Sequence, residues 1–374
     1  MKKLIYGIYA FLFNLSARLF KLNENTVALV SMHNENFNDS LGQIYSYLKK
    51  ENKYRFVFIS RTDLEMRARN IPKVLSFFFI KSRLLAQSKY VFLNDNFLPM
   101  AKLNFKKDAV ITQLWHGEGV FKKFGFAIEQ DETTRKNEIA ANSKLSHVVC
   151  TSKNVVPYYA QAFGVDKERV LPLGSPRTDY FFEEGNEEKA KDRLYTMYPN
   201  LKGKKLVLYA PTFRDNEKSD SEIIERFNAE RLLSLLGEDY AIAVRLHPQV
   251  HFFGGEIAGA VNVTDYDDVR QLVLCSDVLV TDYSSICMDF SLLNKKTVFF
   301  AFDKESYTEK RNFYFPYDDY VPGKVVCTTE QIAEEIKAPL DTDRNERFKK
   351  FNFDFFDGKS AERVVKSVMK GERQ

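Results

Sequence analysis

The sequence predicts an α/β protein built from two Rossmann-like halves, and three observations carry that prediction. Short β-branched and apolar runs alternate with helical stretches along most of the chain. The alternation starts afresh after a charged segment near the middle. At 374 residues the chain is too long for one ordinary domain and long enough for two, each with its own core.

The chain begins KKLIYGIYAFLFNLSARLFKL over residues 2–22. On a helix, Lys3, Gly7, Ala10, Asn14, Arg18 and Lys21 gather into one narrow stripe, and Leu, Ile, Phe and Tyr fill the rest. The uncharged run Leu4–Ala17 is 14 residues long, short of the ~20 that span a bilayer. No small-x-small cleavage site follows, which argues against a signal peptide. Two readings remain, a helix lying in the plane of a membrane and a helix packed on the domain. The apolar circumference and cationic flanks favour the first, on an anionic inner leaflet.

Strands are then expected at TVALVSM (26–32), YRFVFIS (54–60), KYVFLND (89–95), DAVITQLWHG (108–117), SHVVCTS (146–152) and ERVLPLGSPR (168–177). Helices are expected near 39–50, 62–70 and 79–86. The charged stretch 183–199 reads as a helix between domains. The second half gives strands at KKLVLYAPT (204–212), YAIAVRLHP (240–248), VNVTDY (261–266), DVLVTDYSS (277–285) and KTVFFAFD (296–303). Helices fall over 221–236, over 267–275 and after Ser285, and the region from about 329 is charged and helical. The expected division is an amphipathic membrane-associating helix 1–22, a first domain 23–190 and a second domain 191–374.

Composition narrows the function. Apolar residues make up 44% and charged residues 28%, which excludes a disordered or fibrous chain. Net charge is +4, from 55 basic and 51 acidic residues, too balanced for a nucleic-acid partner. Cys150, Cys275, Cys287 and Cys327 lack metal-ligand spacing and sit beside apolar residues, so buried free thiols are expected.

In parallel sheets ligands gather at the C-terminal ends of strands, and the chemistry-bearing residues fall there repeatedly. Trp115-His116-Gly117 ends one strand, and an imidazole titrating near 6.5 suits proton abstraction from a hydroxyl. Arg245-Leu246-His247-Pro248 ends another, with alternation placing Arg245 and His247 on one face. Thr281-Asp282-Tyr283-Ser284-Ser285 runs from a buried strand into an apolar helix, where serines cap and free N–H groups attract an anion. Tyr209-Ala210-Pro211-Thr212-Phe213-Arg214-Asp215 and Gly174-Ser175-Pro176-Arg177-Thr178-Asp179 each add an arginine suited to phosphate. His33, His147 and His251 have no comparable surroundings. The strings Asp265-Tyr266-Asp267 and Asp341-Thr342-Asp343 stand where helices begin and read as caps. No P-loop, G-x-G-x-x-G, G-x-S-x-G or zinc spacing occurs, so neither a metal nor an organic cofactor is expected.

Taken in order, these segments resemble the CDP-glycerol glycerophosphotransferase family, the teichoic-acid primases and polymerases. QLWHGEGVFKKFG, GSPRTD, YAPTFRD, RLHP, SDVLVTDYSS and RNFYFPYDDYVPG (311–323) are similar to its signatures, over roughly residues 90–335. In that family Ala often replaces Gly117; Asn312 stands where Gly is frequent, and Lys324 where Pro is common. The resemblance implies a GT-B-like fold with the active site in the cleft between two Rossmann-like domains. It implies a CDP-glycerol or CDP-ribitol donor, CMP as leaving group and a lipid-linked saccharide or polyol-phosphate acceptor. His116 then matches the proposed base and His247 the second essential histidine. Gly117, Arg177, Thr212, Arg214, Arg245, Asp282, Ser284 and Ser285 are the expected substrate-binding positions. Alternatives are a glycosyltransferase using a sugar nucleotide, or a non-catalytic membrane scaffold with a nucleotide pocket. An anionic membrane surface on the cytoplasmic side is the expected location.

Overall fold

The apolar runs become strands covered on both faces, as parallel sheets require. The structure, a computed structural model, describes residues 2–32, 37–64, 71–214, 217–247, 250 and 256–372. His33, Asp215, Pro248 and His251 lie outside the described residues. The chain divides into two units, Met1–Asp179 with Phe353–Gln374, and Tyr180–Asn352.

The first unit holds β1 (Asn23–Ser31), β2 (Arg55–Ser60), β3 (Ser88–Leu93), β4 (Val110–Gln113), β5 (His147–Cys150) and β6 (Val170–Pro172). All pair in parallel, in the order β2-β1-β3-β4-β5-β6. Its first helices are α1 (Lys2–Leu19), α2 (Ser40–Lys49), α3 (Ile71–Leu75), α4 (Ser82–Gln87), α5 (Glu132–Asn142) and α6 (Val156–Phe163), with a π-helical turn Ser76–Lys81 between α3 and α4.

The second unit holds β7 (Lys205–Ala210), β8 (Tyr240–Val244), β9 (Val261–Asn262), β10 (Val278–Thr281), β11 (Lys296–Phe300) and β12 (Lys324–Val326), in the order β12-β11-β10-β7-β8-β9. Counted from its own first strand, that is the dinucleotide-binding order 3-2-1-4-5-6. Its helices are α7 (Asn186–Met197), α8 (Glu217–Phe227), α9 (Ala229–Leu236), α10 (Val269–Cys275), α11 (Ile286–Leu292), α12 (Lys304–Lys310), α13 (Tyr317–Tyr320), α14 (Thr329–Lys337) and α15 (Thr342–Asn352). Val207, Tyr209, Ile242, Val244, Val280, Val298 and Phe300 from the strands pack with Phe227, Leu232, Ile332 and Ile336 from the helices.

The division into domains needs correction at the C-terminal side. The last helix, α16 (Ser360–Lys370), belongs to the first unit, not to the second domain. Its Val364, Val365 and Val368 join Val27, Leu29, Leu41, Ile44 and Phe92 in one buried cluster. Buried Asp179 accepts from the Ser360 and Ala361 amides at 2.8 Å each, capping the helix across 181 residues of chain. The first unit also stops at Asp179, where 190 was expected.

Residues 1–22 are not a segment apart. Tyr9, Ala10, Phe13 and Ala17 of α1 are buried, with Tyr9 stacked on Phe77 at 4.3 Å and Phe13 set edge-on to Phe105 at 4.8 Å. Asn14, expected in the narrow stripe with Lys3, Gly7 and Arg18, bonds the Lys102 carbonyl and the Asn104 amide. Among the described residues no helix is long and apolar enough to cross a membrane.

Smaller differences have local causes. The helix expected over 221–236 breaks at Asn228, whose φ is +45° and whose side chain caps α9 through the Arg231 amide. The strand expected over 240–248 ends at Val244, before Arg245 and His247. Helix α5 went unseen because its face is polar, and β12 because it has three residues. Cys327 is exposed, unlike the three buried thiols. Asp341 caps α15 as expected, whereas Asp268, outside the first acidic string, caps α10.

Candidate functional site

An open parallel sheet has a crevice where the strand order reverses, outside the strand ends. In the first sheet that point lies between β1 and β3, and the residues beyond them are Met32 and Asn94-Asp95. Here the structure places His116. Its Nδ1 lies 2.8 Å from Asp95 Oδ1 in an ion-pair contact, and its N–H donates to the Asn94 carbonyl oxygen at 3.2 Å. The second Asp95 oxygen accepts from the Met32 amide at 3.2 Å, fixing the carboxylate in turn. Nε2 is thereby the basic nitrogen of the neutral ring, and 45% of the side chain reaches solvent.

Partial burial alone would lower the imidazole pKa. Hydrogen bonding and charge from Asp95, the Asn94 carbonyl and the Glu118 charge outweigh it, and the pKa is raised above the ordinary value. The backbone before the histidine is held against its own preference, since Trp115 has φ +58°, rare for a bulky residue. Aromatic packing compensates: the indole stacks on Phe124 at 5.1 Å and meets Phe163 edge-on at 5.2 Å. Gln113 staples the turn, accepting from the Trp115 amide and donating to the Asp95 carbonyl.

Gly117 is free of any backbone demand. A Cβ there would meet only Trp115 side-chain atoms, at 3.5 Å and beyond, and its carbonyl accepts from the Tyr159 hydroxyl. Arg177, expected to bind substrate, is held by an internal ion pair. Its Nη1 lies 3.0 Å from buried Glu118, which also accepts from Ser175. With Asp179 holding α16, the Gly174–Asp179 segment serves largely as scaffold.

In the second sheet the reversal lies between β7 and β10, and Thr212 and Asp282 follow those strands. The structure joins them directly: the Thr212 amide donates to Asp282 Oδ1 at 2.8 Å. Arg214 does not face solvent as a phosphate ligand would. It donates to both Asp303 oxygens at 2.7 and 3.1 Å, to Asp282 Oδ2 at 3.0 Å and to the Thr212 carbonyl at 2.6 Å. Tyr283 and Tyr307 flank its guanidinium at 5.2 and 5.0 Å. Burial opposes this charge, and Asp282 and Asp303 more than restore it. Arg214 and Asp282, expected at the donor phosphates, thus bond each other and Asp303 in an internal clamp. The aromatic-acidic loop completes the clamp from outside, with Tyr317 donating to the Asp282 carbonyl at 2.9 Å.

Other groups at the same edge keep their capacity. Arg245 is half-buried, and among the described residues its side chain has no hydrogen-bond or ion-pair partner, its Nε included. Burial lowers its pKa, with the Asp268 charge only partly opposing. The Thr212 hydroxyl is buried and has no partner among the described residues. The Ser284 hydroxyl makes one long contact, 3.4 Å from the Ile286 amide, and Ser285 is exposed with no side-chain cap bond. His247 sits beside Phe213, ring centroids 4.8 Å apart. Cavities of about 620 and 460 Å³ open on the aromatic-acidic loop, and neither is lined by His247, Arg245, Thr212 or Ser284.

Asn94, Asp95 and Asp303 were missed by sequence reasoning. An Asn-Asp pair just past a strand is unremarkable until the strand order shows that strand bordering the crevice.

Two doubly wound parallel units, with His116 at the first reversal point and His247 just past β8 in the second sheet, define a class of paired Rossmann-like proteins. Within it the chain belongs to the family described as CDP-glycerol:poly(glycerophosphate) glycerophosphotransferase, whose model matches residues 11–370. The teichoic acid poly(ribitol-phosphate) polymerase of Bacillus spizizenii is 32% identical over 99% of this chain, which spans 60% of that relative's length. The teichoic acid ribitol-phosphate primase of the same organism is 29% identical, over 98% of this chain and 96% of the relative. A solved structure of the wall teichoic acid polymerase TagF, soaked with CDPG, is 24% identical with a TM-score of 0.81, covering 97% of this chain and 93% of that chain. It shows the shared fold. So does the UDP-GlcNAc 2-epimerase from Neisseria meningitidis, 12% identical with a TM-score of 0.57 over 92% of this chain and 100% of that chain.

Proposed function

We propose that the chain transfers glycerol phosphate or ribitol phosphate from a CDP-linked donor to a lipid-linked wall-polymer precursor, releasing CMP. The observation that carries the reading is His116 at the first reversal point, tied through Nδ1 to a buried carboxylate with Nε2 left basic. His116 takes the proton from an acceptor hydroxyl as that oxygen attacks the phosphorus bearing the polyol. The bond from that phosphorus to the oxygen bridging it to the CMP phosphate breaks, and CMP carries away the electron pair. Phosphoryl transfer needs positioning and charge stabilisation more than covalent help. Arg245, the Thr212 hydroxyl, Ser284 and Ser285 supply uncommitted donors for the phosphates, and His247 in its protonated form supports the leaving oxygen.

The relatives' names include both ribitol and glycerol enzymes, so the shared chemistry is a CDP-linked polyol. Nucleotide-activated donors are made in the cytoplasm, which places the reaction on the cytoplasmic face of the membrane, with α1 at an anionic surface. The test incubates the full chain with CDP-glycerol and CDP-ribitol in separate arms, each with a lipid-linked acceptor. Acceptor-dependent CMP release from either donor supports the reading. Turnover of a sugar nucleotide with release of a nucleoside diphosphate, and none of either CDP-polyol, overturns it.

A further inference from the structure

Helix α1 is apolar on two sides, and the fold uses one. Opposite the buried Tyr9, Phe13 and Ala17 run Ile8, Phe11, Leu15 and Leu19, at helical spacing and exposed, Phe11 to 66% and Leu19 to 67%. The segment beside it repeats the pattern. In the π-helical turn Ser76–Lys81, Phe77 and Phe78 point inward, while Phe79 is 60% and Ile80 56% exposed, and Ile71 and Leu75 just before them are exposed too. The turn is wide, the Ser82 amide bonding back five residues to the Phe77 carbonyl. Tyr9 stacks on Phe77, and the Arg83 guanidinium lies 4.1 Å over the Phe20 ring. The exposed apolar residues of both segments therefore flank one packed seam. Singly exposed apolar residues need no explanation, but a set of this size along one seam marks a surface built for contact.

Charge selects the partner. Residues 2–22, 71–87 and 97–107 carry ten Lys or Arg and no Asp or Glu. Lys81 pairs with buried Asp63, but Arg18, Lys21, Lys73, Lys102 and Lys107 are exposed. Bulky apolar residues inside a field of one sign match an anionic bilayer, where each nearby cation strengthens the attachment.

We propose that α1 and the segment 71–81 form one membrane-seated face, with Phe79 and Ile80 entering the headgroup region beside Phe11 and Leu19. The inference rests on the membrane placement proposed above and adds a second anchoring segment to it. The test is co-sedimentation of the full chain with vesicles of pure phosphatidylglycerol and of pure phosphatidylcholine. The wild type pellets with phosphatidylglycerol and is released by salt. Phe11→Ser with Leu19→Ser, and separately Phe79→Ser with Ile80→Ser, each weaken pelleting about tenfold or more while thermal unfolding stays unchanged. If the first pair weakens binding and the second does not, the composite face is wrong and α1 alone is the anchor. If neither does, the membrane placement fails as well. A wild type that self-associates without lipid, and becomes monomeric in both variants with vesicle binding intact, makes the face a protein interface and overturns the inference. Phe79→Trp gives a readout independent of these losses. Its fluorescence is quenched by brominated phosphatidylglycerol beyond the Trp115 background, and unchanged fluorescence overturns the seating of this segment.

Discussion

The crevice ends of the two sheets use their polar residues in opposite ways. In the first unit, one histidine is set by a carboxylate, which makes Nε2 the basic nitrogen. In the second, the most conspicuous charges, Arg214, Asp282 and Asp303, bond one another, and the less conspicuous Arg245 and Thr212 have side-chain atoms without a partner among the described residues. A strong motif residue can thus be a brace, and its hydrogen-bonding capacity left over in the fold is what separates a brace from a ligand.

His116→Ala tests the first half of that contrast most severely. Turnover falls by about 10²–10⁴-fold with donor affinity retained, and a variant within a few-fold of wild type would make this histidine structural. Arg214→Ala tests the brace. Removing the guanidinium leaves two carboxylates uncompensated, which costs about 3–5 kcal/mol of stability. Equilibrium denaturation should show that loss; a fully stable variant with only weakened donor binding would return Arg214 to the phosphates.

Asp95→Asn probes orientation instead of chemistry. A loss in kcat of about 10²-fold is expected, because the amide can present the wrong tautomer of His116. Asp95 raises the imidazole pKa, so the acidic limb of the rate profile, where the base is protonated, lies above 6.5 in wild type and moves to lower pH in the variant. A limb that stays in place dissociates Asp95 from the titration. Arg245→Ala raises the donor KM by about 1–3 kcal/mol in binding terms, with little change in unfolding because no internal partner is lost. Unchanged KM would leave the anion site elsewhere. The smallest effect belongs to Gly117→Ala: kcat and KM within about two-fold, since a Cβ there meets ordinary contact distances. A large loss would mean a ligand approaches that backbone closely.

Eleven of the twelve strands among the described residues and the two-part architecture were legible in the sequence, as was the place of His116, Arg245 and His247 just past strands, though β12 and the early end of β8 were not. Period and punctuation suffice for strands buried on both faces. The pairing of residues was not legible, because it depends on strand order. Asp95 meets His116 only because β3 lies between β1 and β4, and Asp303 meets Arg214 only because β11 follows β10 outward. Helix α1 shows a further limit. A helix apolar on nearly all sides suggests a membrane, a core or both, and Tyr9 stacked on Phe77 shows that the core takes a share.

The capping of α16 by Asp179 bears on the order in which the protein is made. During synthesis the first unit emerges early but lacks Val364, Val365 and Val368 from its cluster until residues 353–372 leave the ribosome. The second unit is continuous in sequence and can close while the first still waits. A ribosome-bound chain arrested after Asn352 should accordingly resist protease across Tyr180–Asn352 and be cut within β1–β6. The final helix would then act as a latch, completing the first unit only after the second is already folded.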